Sequence, residues 1–87
     1  LLDMDEKEAA LGMMKKGILK HPESALLRVV NAGFLYELKD LELCRKELSI
    51  GFELNTEAQA LFFDAFPDYA EDEVIIDMIK NIKGGIV

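Results

Sequence analysis

Residues 14–24 read MKKGILKHPES, and residues 48–58 read LSIGFELNTEA. Only two letters coincide, Gly17 with Gly51 and Glu23 with Glu57. Yet each stretch sets a large apolar residue three places before a Gly, another directly after it, and a breaker or cap five places after it. The two copies lie 34 residues apart, and the match extends outward: Ala10 meets Cys44, Met14 meets Leu48, Ile18 meets Phe52, Pro22 meets Thr56 and Leu27 meets Leu61. Within a copy the small residue and the Gly are seven apart, so they share a helix face and admit a close neighbour. The large residue between them fills the groove beside that contact. The terminator turns the chain into the next helix. Such a two-helix unit cannot bury its apolar face alone and must stack on another.

The rest of the chain is helical in period. Strict apolar/polar alternation over a strand length is lacking, and no Asn-Gly or Asp-Gly hairpin signal occurs. The pattern predicts about five helices. The first spans 5–20, with Asp3 and Asp5 as candidate caps, a face of Ala10, Met13, Met14, Gly17 and Ile18, and a stop at His21-Pro22. The second runs from Pro22 or Ser24 to Leu38 and is apolar nearly all round, as a helix sandwiched between neighbours would be. Lys39-Asp40 breaks the chain. The third helix covers 41–54, with Leu41, Cys44, Leu48, Gly51 and Phe52 as its stripe and Glu42, Arg45, Lys46 and Glu47 as its solvated side. Thr56 is the expected cap of a fourth helix over 57–66, which Pro67 stops. After a turn at 68–72, Glu71 or Asp72 opens a last helix ending near Lys83, buried through Val74, Ile75, Met78, Ile79 and Ile82. Short connections make successive helices antiparallel.

With 87 residues the chain forms one domain with a small core. A hydrophobic fraction of 51% suits a packed interior. The net charge of −7 argues against nucleic acid and anionic membrane as partners. No apolar run approaches the length of a membrane span. A single Cys excludes an internal disulfide framework and a Cys-based zinc site, which fits a reducing, cytoplasmic setting. A start at Leu1-Leu2 rather than Met fits a fragment or a processed chain.

The 34-residue helix-turn-helix stride resembles the tetratricopeptide repeat family. The likeness covers about residues 9–66: the second helix of one repeat (5–21), a full repeat (23–55) and the start of a partial third repeat, which with a capping last helix spans 57–83. The family's second-helix pattern of Ala, aromatic, Ala and Pro corresponds to Ala10, Met14, Gly17 and Pro22, then to Cys44, Leu48, Gly51 and Thr56. Met14 and Leu48 stand in for the aromatic, and Thr56 for the second Pro. Ala32, Gly33 and Tyr36 match the first-helix pattern of a Leu-Gly pair and Tyr, one residue late. Phe66 and Pro67 occupy the place of that pair in the third copy. The resemblance implies an all-α stack of antiparallel helical hairpins, a short solenoid that binds a peptide or protein in a concave groove. It places that groove on the second and fourth helices, with Arg28, Asn31, Leu35 and Gln59 as its contacts. Arg28 is the sole cation on those two helices, so a clamp for a C-terminal carboxylate is not expected.

The remaining chemistry-bearing residues have structural readings. His21 sits at a helix end, and Cys44 fills a slot that needs a small residue. Asp68, Glu71, Asp72, Glu73 and Asp77 lack calcium-loop spacing and flank a helix N-terminus, where acidic groups are stabilising. Gly84-Gly85 lacks the residues of a phosphate loop. Leu61, Phe62, Phe63, Phe66 and Tyr69 belong mainly to a core between the third and fifth helices, with a partner-binding patch centred on Phe62 as the alternative. The expectation is a protein-interaction module with no catalytic residues, cofactor or metal. A homodimer is its rival, in which the first helix covers Ala10, Met13 and Met14 against a second chain; the alternative of a different class is a small helical enzyme or regulatory domain with a site assembled across helices.

Overall fold

The computed structural model describes residues 4–85, and every regular element among them is helical. They form α1 (Met4–Lys20), α2 (Ala25–Glu37), α3 (Leu41–Leu54), α4 (Ala58–Ala65), a 3-10 turn (Pro67–Glu71) and α5 (Glu73–Gly85). Of the expected α1 caps, Asp3 and the side chain of Asp5 lie outside the described residues.

Local chemistry sets most of the other boundaries. Ser24 caps α2 by accepting from the Leu27 N–H at 3.3 Å. At the far end of α2, Lys39 takes a left-handed φ of 64°, the Lys39 N–H donates to Tyr36 O and the Asp40 N–H to Leu35 O. That is a Schellman stop with Lys where Gly is usual. Asp40 then caps α3 by accepting from Leu43 N at 3.2 Å. The expected cap of α4 is not Thr56: Asn55 Oδ1 accepts from Glu57 N at 2.8 Å, and no side chain caps the helix. Asx geometry in the turn takes over the role assigned to the hydroxyl. Pro67 stops α4 at Ala65 and opens the 3-10 turn. Asp72 accepts from Val74 N and Ile75 N at 2.9 and 3.2 Å and so starts α5.

The core explains the all-round hydrophobicity of α2. This helix packs on α1, α3 and α4, while α3 also meets α5. Val29, Ala32 and Leu35 of α2 join Cys44, Leu48 and Phe52 of α3, Ala58 and Phe62 of α4, and Ile75, Met78, Ile79 and Ile82 of α5. The expected α1 face of Ala10, Met13, Met14, Gly17 and Ile18 contributes no buried core residue, and Met13, Leu41 and Val74 are exposed. Val74 flanks the stripe that Ile75, Met78, Ile79 and Ile82 present at helical spacing. Leu41 is the first residue of its helix.

Two glycines permit close approach. A Cβ on Gly51 would lie 2.9 Å from Val29 Cγ1, and one on Gly33 would collide with the Phe66 ring. Phe66 therefore packs on α2 rather than between α3 and α5, meeting Phe34 edge-on with centroids 5.8 Å apart. Cys44 of α3 and Met78 of α5 touch, sulfur to sulfur, at 3.9 Å.

Candidate functional site

One face of α2 lies at the edge of the core. Arg28, Asn31, Leu35 and the capping Leu38 recur at three- and four-residue spacing and floor a groove of about 820 Å³. Its walls are apolar, from Leu11, Ile18 and Leu19 of α1 on one side and Leu43 of α3 on the other. Leu19 is 82% exposed and Leu43 45%. Glu8, Lys15, Asp40 and Glu47 complete the lining.

A charge pair braces the floor against the α3 wall. Arg28 Nη1 donates to Glu47 Oε1 at 3.2 Å and to Oε2 at 3.1 Å, with both side chains largely buried. Glu47 was expected on the solvated side of α3. It turns inward because Arg28 offers a charge-assisted bond there.

Asn31 is 94% buried, and its Oδ1 has no hydrogen-bond partner; nor does the Arg28 Nε–H. A buried polar atom left unpaired costs about 1–3 kcal/mol. Both atoms are sealed from solvent, so neither is displayed in the groove.

Of the five residues expected to meet a partner, Arg28, Asn31 and Leu35 converge in this groove. Gln59 does not join them. It lies half-buried on α4, beside a separate concavity of about 190 Å³ with Phe63, Ile79 and Lys83. Phe62 is fully buried, with the rings of Phe63, Phe66 and Tyr69 at 5.5, 5.6 and 6.0 Å, and presents no surface. The cause is the phase of α2. Gly33, which receives Phe66 and α4, lies two residues after Asn31 and so about 200° around the helix. The groove is thus walled by α1 and α3, not by α4. The contributions of Leu11, Leu19, Leu43 and Glu47 were missed, although Leu11 and Ile18 recur at seven and Leu43 and Glu47 at four.

Elsewhere the ionisable groups serve structure. Tyr36 Oη donates to Asp72 Oδ2 at 2.7 Å, and Tyr69 Oη to Glu37 Oε1 at 3.2 Å, with the two rings 5.0 Å apart. Burial, then the Asp72 bond, pushes the Tyr36 phenol up to about 12. The bond from Tyr36 is the main cause holding Asp72 below its ordinary value, aided by the two backbone N–H groups. Burial pushes the Cys44 thiol up to about 12, so it is protonated and poorly nucleophilic at neutral pH. His21 is exposed at the α1–α2 turn, with Nδ1 4.0 Å from Glu23 Oε1. Among the described residues no group of three or more His, Cys, Asp or Glu is placed to hold a metal, and no helix is long and apolar enough to cross a membrane.

Comparison with family models, with curated proteins and with solved structures gave no match in any of the three.

Proposed function

We propose that the chain is a protein-interaction module, not an enzyme, that holds a peptide or protein segment in the groove between α1 and α3. The observation that carries this reading is a groove of about 820 Å³ with exposed Leu19 and Leu43 on its walls. Apolar walls supply affinity, and a few placed polar groups set orientation. The helices stack in the manner of tetratricopeptide repeats. That part of the reading draws on the 34-residue stride and on the packing of α2 against both α1 and α3. The groove lies on a different face from the one the resemblance implied, so Arg28, Asn31 and Leu35 act with α1 and α3 instead of with Gln59.

The test compares proteins retained from native extract by the immobilised parent, by Leu43→Asp and by Leu26→Asp. Leu26 is 48% exposed but does not line the groove. Partners held by the parent and by Leu26→Asp should be released by Leu43→Asp while thermal unfolding stays unchanged. Retention indifferent to Leu43→Asp sinks the reading.

The second reading is association of two copies through α1, favoured by the exposure of Met13 (70%) and Leu19 (82%) on that helix. A strict monomer in sedimentation at high concentration removes it.

A further inference from the structure

We infer that a second docking site lies between α4 and α5, and that it takes an internal acidic segment of a partner protein: one large apolar side chain flanked by Asp or Glu. The site is separate from the α1–α3 groove, and the inference does not depend on that reading. Its centre is the concavity of about 190 Å³ beside Gln59. Gln59 and Phe63, four apart on α4, form one side. Ile76, Lys80 and Lys83 recur at helical spacing on α5 and form the other, with buried Ile79 beside them.

Size limits what enters. A site for a drug-sized ligand spans about 300–1,000 Å³. This smaller one suits a single side chain, so it anchors a longer segment instead of enclosing a free molecule. Phe63 and Ile76 are half-buried and offer the apolar contact.

Charge selects the partner. From residue 57 onward the sequence carries seven Asp and Glu but only two cations, Lys80 and Lys83. Both cations line this concavity, and none of the seven acidic residues does. Lys80 and Lys83 are exposed and make no ion pair among the described residues. Two cations three residues apart call for two carboxylates, and a lone C-terminal carboxylate would leave one of them unmatched. The segment is therefore internal, with acids on both sides of its anchor. The net charge of −7 opposes an acidic partner at long range. At physiological salt the Debye length is about 8 Å, so lysines in contact outweigh distant carboxylates. Gln59 is half-buried without a hydrogen bond of its own, which leaves its amide to the backbone of the bound segment.

A displayed library of short random segments, held at both ends within a carrier protein, tests this on the intact chain. Enriched segments should carry a large apolar residue with Asp or Glu on both sides. Changing the anchor to Ala, or the acids to Asn and Gln, should weaken binding at least about tenfold. This arm leaves the chain untouched and does not depend on any variant folding. On the chain carrying Lys80→Glu and Lys83→Glu the enriched segment should no longer bind, and its counterpart with Lys in place of the acids should bind instead. The neutral pair Lys80→Gln and Lys83→Gln should weaken binding as well. Enrichment of basic or uncharged segments, no enrichment, or an acidic segment indifferent to both lysine pairs each overturn the inference. Leu43→Asp should leave this binding unchanged. Loss of binding in that variant puts the segment in the α1–α3 groove and overturns the inference while the groove reading stands. A dimer dispersed by the lysine reversal puts a second copy at the site and overturns the inference as well.

Discussion

The Tyr36 hydroxyl and the Asp72 carboxylate meet at 2.7 Å across 36 residues of sequence, joining the last turn of α2 to the residue just before α5. Asp72 uses its other oxygen to cap α5, so one side chain both starts a helix and ties it to the core. Each partner raises the stability of the other in the form present at neutral pH.

That clasp makes stability fall at both ends of the pH scale. Asp72 titrates below its ordinary 3.8 in the folded chain, so its contribution is present above that value and is lost as pH falls through the folded value. Tyr36 titrates near 12 against an ordinary 10.0, so its contribution is complete below pH 10 and disappears as pH rises towards 12. Urea denaturation at neutral pH and near pH 11 should show the loss, and Tyr36→Phe should lose less than the parent.

The glycines should divide by what faces them. Gly51→Ala should destabilise by about 1–3 kcal/mol, because the added carbon meets fully buried, β-branched Val29 at 2.9 Å. Gly12 lies within α1 with nothing within 4 Å of its Cβ position, so Gly12→Ala should stabilise by about 0.5–1 kcal/mol. Thermal melts of the two variants check the contrast, and equal effects would contradict the close approach of α3 to α2.

Lys39 holds a left-handed backbone conformation at the α2–α3 turn, where a side chain costs energy and Gly does not. Lys39→Gly should raise the unfolding free energy by up to about 1 kcal/mol. Chemical denaturation measures it; a loss of stability would mean that the turn is held by something other than its hydrogen bonds.

Arg28→Met should destabilise by about 1–3 kcal/mol, since it strands the largely buried Glu47 carboxylate. Pairing it with Glu47→Leu should restore most of the loss, because apolar replacement of both partners removes the unmet charge. A double variant no better than the single would show that Arg28 acts through its packing alone.

The native chain should resist thiol reagents. Cys44 is fully buried between α3 and α5 and titrates near 12, so labelling at neutral pH should proceed at the rate of unfolding and rise with urea. Prompt labelling without urea would contradict the burial.

Helix existence was legible in the sequence because caps and breakers are local. Ser24, Asp40, Pro67 and Asp72 act within a few residues of themselves, and each sets a boundary where the pattern placed it. The sandwiched position of α2 was legible from its apolar circumference. The groove was less so. Which face of α2 remains open depends on where α4 docks, and that is fixed by the contact of Phe66 with Gly33, 33 residues apart. No local rule encodes that pairing, so Gln59 and Phe62 were assigned to a face they do not share with Asn31. The inward turn of Glu47 was hidden for the same reason: its partner is 19 residues away.

The aromatic clasp also decides what ultraviolet light can see. The chain has no Trp and two Tyr, and both Tyr rings sit in that single corner, 5.0 Å apart. None of the side chains around the groove is aromatic. Intrinsic emission therefore watches the seam between α2 and α5 come apart on denaturation, while a guest settling between α1 and α3 passes without an optical signal and needs a dye of its own.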